Sequence, residues 1–173
     1  MSTTVLASRL RALERAGVVR RGVLPPPAAS AVYELTDYGR DLGPILLGLC
    51  RWGVRSLEPR VEESFRSNWL ALALKAHFHP DAADEQRRVY ELRLRDGPFR
   101  LTVADGDVST AKGAAEDADL VLEADDDALV GLLAGQVSLE AALAGGAVAV
   151  VSGAAGELRR FLELFRFAGP VAA

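Results

Sequence analysis

The amino-acid sequence predicts an α+β protein of two segments, the second built on a mainly antiparallel sheet with covering helices. Apolar residues recur at helical spacing in some stretches and alternate with polar residues in others, which indicates both helices and strands. Charge is segregated too: residues 1–60 hold nine arginines and five acidic residues, whereas residues 61–173 hold eleven basic and nineteen acidic residues. The sign changes around Ser56–Arg60, where Pro59 interrupts the apolar periodicity. We therefore expect two units, residues 1–56 and 62–167.

The composition excludes several classes of protein. The 173 residues are 50% hydrophobic and 25% charged, which is typical of a globular chain and not of a disordered, collagen-like or disulfide-stapled one. Cys50 is the single cysteine, so we expect no internal disulfide and a reduced, cytoplasmic protein. The start of the chain lacks the apolar region of a signal peptide. The most apolar stretch, residues 141–151, is far shorter than the ~20 residues that span a bilayer.

The first segment begins with a short amphipathic helix. Leu6, Leu10 and Leu13 lie at helical spacing behind an N-cap in Ser2–Thr4, and Gly17 is the predicted end. Residues 18–24 and 31–35 resemble strands, and the prolines between them predict a stiff, protruding hairpin loop.

A second helix follows, capped by Thr36 or Asp37 and kinked at Pro44. Its apolar stripe is a candidate dimer interface, although packing within its own unit fits the pattern equally well. The stripe consists of Leu42, Ile45, Leu46, Leu49 and Trp52.

The second segment mixes both periods. A helix is predicted over residues 62–76, with its apolar face at Phe65, Trp69, Leu72, Ala73 and Ala76. Alternation and Asp-Gly turns then predict strands at residues 90–94, 99–103, 108–112, 119–124 and 147–151. Helices are expected at residues 127–133, capped by one of Asp125–Asp127, and at residues 138–143 and 158–165.

One face of the first helix is polar. With the leucines turned inward, Thr4, Ser8, Arg11 and Arg15 fall together on the opposite side. Hydroxyl and guanidinium groups on a helix suit base edges and phosphates, and Arg20 and Arg21 on the hairpin could reach the neighbouring backbone. On this pattern alone a solvated helix face is the alternative interpretation.

The same residues carry a resemblance. Residues 5–21 read VLASRLRALERAGVVRR and residues 32–42 read VYELTDYGRDL, and over residues 2–56 they resemble the recognition helix, wing and following helix of HxlR-type winged-helix transcription regulators. The resemblance implies that Thr4, Ser8 and Arg11 face bases, that Arg15, Arg20 and Arg21 face phosphates, and that the second helix joins a dimer. Family members carry further helices before the recognition helix. We expect either that Met1 is an internal methionine or that the protein is a derivative that lost DNA binding.

The second segment has its own resemblance. Residues 96–103, 119–124, 132–135 and 145–153, ahead of residues 158–165, are similar in their order to the sterol carrier protein fold. That fold implies an apolar tunnel for lipids or other hydrophobic small molecules, whereas close packing as an ordinary core is the alternative. The candidate pocket residues are Trp69, Tyr90, Leu92, Leu94, Phe99, Leu101, Leu120, Leu133, Phe161 and Phe165.

Other motifs predict no chemistry. Asp105–Glu116 imitates a calcium loop, but Thr110 replaces the required glycine, so we expect a turn. His77 and His79 are interpreted as a solvated loop, Cys50 as a buried, inert thiol, and the acidic run from Glu116 to Asp127 as solvated strand ends and a helix cap. We expect no catalytic residue, metal or cofactor.

These observations favour a ligand-responsive bacterial transcription regulator. It would bind double-stranded DNA as a homodimer and hold a hydrophobic effector in the second unit. The alternative is a lipid or small-molecule carrier whose first segment serves only dimerisation. An enzyme is a third option, but no acid, base or nucleophile is assembled for it.

Overall fold

The computed structural model describes residues 3–54 and 67–167. The chain divides into two compact units, residues 1–46 and 47–173. The linker expected at Ser56–Arg60, like Ser2 and Phe65, lies outside the described residues.

The first unit follows the predicted order of helix, hairpin and helix. Helix α1 spans Thr3–Arg15, and Gly17 turns the chain with a φ of +72°. Strands β1 (Val19–Val23) and β2 (Ala31–Leu35) pair antiparallel, with Val19 opposite Leu35. Helix α2 spans Asp37–Val54 and contains Pro44; it begins in this unit, and its residues from 47 onward are assigned to the second unit.

Thr36 joins the two helices and the hairpin of this unit. Its hydroxyl donates to the carbonyl oxygen of Gly17 (2.6 Å) and accepts from the backbone N–H of Gly39 (3.0 Å), so it caps α2 and holds the end of α1. Its own backbone N–H donates to the carbonyl of Val18 (3.1 Å). Gly39 is buried against that carbonyl, and a Cβ at this position would collide with the Val18 oxygen. The threonine at position 36 is therefore needed for its hydroxyl, and the glycine at position 39 is needed because the Val18 carbonyl leaves no room for a side chain.

We predict that Gly39→Ala destabilises this junction by about 1–3 kcal/mol, because the added methyl group must push the Val18 backbone away. Gly43→Ala on the same helix is the matched control, since a Cβ at Gly43 meets open space. Urea unfolding of both variants measures the difference. Equal stability of the two would contradict the assigned role of Gly39.

The second unit is a five-stranded sheet with helices. Its elements are α3 (Ser67–Ala76), a 3₁₀ turn (Pro80–Ala82), β3 (Arg88–Leu94), β4 (Gly97–Ala104), β5 (Asp107–Lys112), β6 (Leu120–Ala124), α4 (Asp126–Leu133), α5 (Leu139–Ala144), β7 (Val148–Gly153) and α6 (Ala155–Phe165). The strand order is β5-β4-β3-β6-β7, and the β3–β6 pair is parallel while the other pairs are antiparallel. The predicted α+β class with a mainly antiparallel sheet is confirmed. No helix in the described ranges combines the length and apolar character needed to cross a membrane.

Turn and cap residues set the boundaries of these elements. Asp105 and Gly106 adopt φ values of +53° and +72° between β4 and β5, so the calcium-like motif begins in a tight turn. The Asp125 side chain accepts from the N–H of Asp127 and caps α4, and Ser138 caps α5 in the same way.

The core of the second unit lies between the sheet and its helices. Tyr90, Leu92, Leu101, Leu120 and Leu122 are almost fully buried there, together with Phe161 and Phe165 of α6. Helix α3 contributes Leu70, Ala73 and Leu74. Ala73 and Ala76 of the predicted face are buried, whereas Trp69 is 59% exposed and lies outside the buried cluster. The packed face is therefore turned toward Leu70 and Leu74.

The opposite face of the sheet is partly covered by the loop between β5 and β6. Glu91, 3% exposed, accepts from Arg93 Nε (2.8 Å) and from the backbone N–H of Ala115 (2.7 Å). These two hydrogen bonds, the Arg93 bond first, lower the pKa of Glu91. The Glu91 carboxylate therefore fastens this loop across the centre of the sheet.

We predict that Glu91→Gln lowers the unfolding free energy by about 1–2 kcal/mol at neutral pH. Because the folded state lowers this pKa, the stabilisation is complete above the ordinary value of 4.5 and is lost as the pH falls through the lowered pKa. The difference between wild type and variant should therefore shrink on acidification in urea titrations. Glu123→Gln, an exposed carboxylate on the same face, is the control, and a pH-independent difference at Glu91 would refute the mechanism.

Candidate DNA-binding and ligand-binding sites

The predicted DNA-reading face of α1 is open. Thr4, Ser8, Arg11 and Arg15 are all exposed, and their spacing places them along one side of the helix. Arg11 Nε donates to the carbonyl of Ala7 one turn earlier (3.3 Å), which directs its side chain along the helix. This face offers hydroxyl and guanidinium donors to an anionic partner.

The two wing arginines already have acidic partners. Arg20 Nη2 lies 3.3 Å from Glu34 Oε2, and Arg21 Nε lies 3.2 Å from Glu14 Oε1. The Arg21 guanidinium also stands 5.7 Å from the centre of the Tyr33 ring. Tyr33, followed by Glu14, raises the pKa of Arg21 further above its ordinary value. Exposed pairs of this kind are weak, so both guanidinium groups can exchange partners.

The apolar stripe of α2 is uncovered. Ile45, Leu46, Leu49 and Trp52 are each more than half exposed, with Trp52 at 69%, while Leu42 is half-buried. Leu6 and Leu13 of α1, predicted to point inward, are also exposed. Among the described residues of the first unit, Val19 is the one large apolar side chain that is buried. A row of exposed large apolar side chains along one helix is typical of an interaction site.

Nine of the ten candidate pocket residues meet in one buried cluster. The exception is Trp69 on the outer side of α3. Tyr90, Phe161 and Phe165 form its aromatic centre, with ring centroids 5.4 Å apart for Tyr90 and Phe161 and 5.0 Å apart for Phe161 and Phe165. The site is apolar on the sheet side and on the α6 side.

A group of charged residues beside this cluster was missed in the sequence. Arg88 lies two residues before Tyr90 on the same face of β3, and Glu157 lies one turn before Phe161 on α6. Arg88 Nη2 contacts Asp84 Oδ2 at 3.0 Å, and Arg88 Nε is 3.6 Å from Glu157 Oε2. Strand and helix periodicity could have found both residues once the apolar faces were assigned.

The histidines do not form a solvated loop. His77 is 4% exposed, its Nδ1 lies 3.0 Å from the carbonyl oxygen of Ala73, and its ring packs on Phe167. Burial lowers the pKa of His77, so the ring stays neutral. His79 Nε2 lies 2.8 Å from the carbonyl oxygen of Arg166. The prediction was wrong because both histidines contact the segment after α6, which is distant in sequence.

Cys50 and the acidic run also have defined surroundings. Cys50 is half-buried, and desolvation raises the pKa of its thiol. Asp119 Oδ2 accepts from the N–H of Val89 (2.7 Å). Asp126, expected to be solvated or capping, is buried and accepts from the N–H of Arg95 (3.2 Å). These acids hold strand ends together.

Two known protein families match different parts of this chain. Residues 1–61 match the HxlR-like helix-turn-helix family, and residues 70–165 match the SCP-2 sterol transfer family. The uncharacterized HTH-type transcriptional regulator YvaP of Bacillus subtilis is 41% identical over 59 residues, which cover 34% of this chain and 55% of YvaP. YybR of the same organism, described in the same words, is 41% identical over 66 residues, 38% of this chain and 51% of YybR. The chain thus spans about half the length of these relatives.

The chain also resembles a solved structure. The inverting sec-alkylsulfatase Pisa1 from Pseudomonas sp. matches with a TM-score of 0.54 and 19% identity, over 63% of this chain and 18% of that one. At this identity the likeness concerns the fold alone. The family match over residues 70–165 covers more than half of the 173 residues, so the chain belongs to the SCP-2 sterol transfer family and carries an HxlR-like helix-turn-helix segment ahead of that domain.

Proposed function

We propose that the protein is a ligand-responsive, non-enzymatic transcription regulator. It binds double-stranded DNA as a homodimer through α1 and the β1–β2 hairpin, and it holds a hydrophobic effector in the second unit. The open face of α1, with Thr4, Ser8, Arg11 and Arg15 in one row, is the observation that carries the proposal. The HxlR-like match and the HTH-type regulators among its relatives support it.

In this proposal different residues of the first unit contact the bases and the phosphates of the DNA. Thr4, Ser8 and Arg11 face base edges, where hydroxyl and guanidinium donors read the major groove. Arg15 faces phosphate, which positions the helix without reading sequence. Arg20 and Arg21 leave their acidic partners for phosphates beside the wing.

The stripe of α2 forms the dimer interface. Ile45, Leu46, Leu49 and Trp52 are exposed at helical spacing, and a second copy would remove them from water. A two-fold dimer places two recognition helices on two half-sites of a palindrome. An effector that binds one of two dimer geometries more tightly shifts the population toward that geometry. The shift changes the distance between the two recognition helices.

We predict that the chain binds duplex DNA with an affinity that falls steeply as the salt concentration rises. Arginines that contact phosphates release the cations condensed on the DNA, and added salt opposes that release. Arg15→Ala should reduce the slope of log affinity against log salt by about 1. Fluorescence anisotropy with a labelled duplex measures both quantities. Arg100→Ala, an exposed arginine of the second unit, is the control and should leave the slope unchanged.

Two results of this titration would reject the proposal that the protein is a transcription regulator. One is an absence of duplex binding even at low salt, and the other is a slope that Arg15→Ala does not change. Absent DNA binding, together with copurified lipid detected by native mass spectrometry, would instead support the carrier with a first segment used for dimerisation.

We predict that Leu49→Glu raises the dimer dissociation constant at least about tenfold, because each copy loses the burial of one leucine, worth roughly 1.5–3 kcal/mol. Sedimentation velocity over a concentration series measures the change. Arg40→Glu places the same side chain on the opposite face of α2 and serves as the control. A wild-type monomer, or equal effects of the two variants, would remove α2 from the interface.

A further inference from the structure

A polar cluster lies where the apolar core meets the start of β3 and of α6. We define it as Asp84, Arg88, Tyr90, Glu157 and Arg160. Arg88 and Arg160 both contact Asp84 Oδ2, the first at 3.0 Å. Arg88 Nε and Arg160 Nε lie 3.6 Å and 4.0 Å from the two oxygens of Glu157. Two guanidinium groups and two carboxylates thus balance each other.

Three buried atoms of this cluster have no hydrogen-bond partner among the described residues: Tyr90 OH, Arg88 Nε and Glu157 Oε2. Tyr90 is 0% exposed, so water outside the protein does not reach its hydroxyl. Arg88 Nε and Glu157 Oε2 face each other as an ion pair at 3.6 Å, which is beyond hydrogen-bond distance. Buried polar atoms nearly always have a hydrogen bond, so a water or a ligand group is expected beside these atoms. Arg88 Nε can donate a hydrogen bond, Glu157 Oε2 can accept one, and the Tyr90 hydroxyl can do either.

Tyr90 connects this polar cluster with the candidate ligand site. Its ring packs edge-on against Phe161 and Phe165, at centroid distances of 5.4 Å and 6.2 Å. Burial, and then the Glu157 carboxylate, raise the pKa of Tyr90 above its ordinary value, so its hydroxyl keeps its proton. A molecule with its polar end at the phenol hydroxyl would lay its apolar part against these rings.

A surface groove leads toward the same cluster. The groove has a volume of about 420 Å³ and is lined by Ala83, Asp84, Glu85, Asp105 and Gly106. Asp84 belongs to both the groove and the polar cluster. The groove therefore touches the polar cluster at Asp84.

We propose that the polar cluster binds the polar end of the hydrophobic ligand and selects a neutral hydroxyl over a carboxylate. The inference rests on the proposed function, which puts a hydrophobic effector in this unit. A hydroxyl donates to Glu157 Oε2 and accepts from Arg88 Nε or Tyr90 OH, which gives two of the three atoms a hydrogen bond. A carboxylate brings a negative charge to a site whose arginines already contact Asp84 and Glu157, so its charge stays uncompensated.

The test compares two ligands of equal chain length, 1-decanol and decanoate, on the full chain. Each competes with a neutral environment-sensitive dye, and native mass spectrometry counts the bound ligand. We expect wild type to bind the alcohol at least about tenfold more tightly than the carboxylate. Tyr90→Phe should weaken the alcohol about three- to tenfold, which corresponds to the loss of one hydrogen bond.

Glu157→Gln should reduce the preference for the alcohol about tenfold or more, because it removes the negative charge that repels decanoate. The matched controls are Tyr38→Phe and Glu163→Gln, both exposed, which should leave the preference unchanged. All four substitutions keep the shape of the side chain, and circular dichroism checks their folding.

The outcomes separate this inference from the proposed function. If neither ligand displaces the dye nor appears in native mass spectra, the ligand arm of the proposed function fails and this inference fails with it. If both ligands bind with equal affinity, or if Glu157→Gln behaves like Glu163→Gln, the hydrophobic site stands and the hydroxyl selection is refuted.

Discussion

The second unit depends on the parallel pairing of β3 with β6. This pair joins the β3–β4–β5 meander to β7, and its register sets Tyr90 beside Leu120 and Leu92 beside Leu122. Asp119 fixes the start of the β3–β6 pair through two hydrogen bonds to Val89. Its N–H donates to the carbonyl of Val89, and its carboxylate accepts from the N–H of Val89. Because β3 carries Arg88 as well as Tyr90, the same pairing brings the polar cluster to the edge of the core.

The two units differ in how they obtain stability. The second unit buries a continuous core of its own. The first unit instead relies on hydrogen bonds around Thr36 and on the antiparallel hairpin, and it leaves the leucines of α1 and the stripe of α2 in water. For a small unit that buries little apolar surface, association with a partner supplies part of the stabilisation. This difference supports a homodimer more strongly than the pattern of any one helix does.

Local sequence patterns were sufficient for most elements. Helix α1, the hairpins and the α4 cap among Asp125–Asp127 depend on neighbouring residues, so spacing and turn chemistry predict them. The burial of Glu91 and of His77 depends on segments distant in sequence, which local periodicity does not contain. Trp69 shows a further reason for error: α3 has apolar residues on several sides, so its packed face is decided by the sheet.

The ion pairs of the wing have a consequence for the proposed DNA complex. Glu34 and Glu14 occupy the guanidinium groups of Arg20 and Arg21 as phosphates would, so the free wing contains its own internal competitors. DNA must displace these carboxylates before the wing can bind it, and each exchange gains less than contact with an unpaired arginine. Non-specific sites, which offer the wing few other contacts, are then penalised most. In the proposed complex the acidic partners would thus disfavour sites that α1 does not also fit.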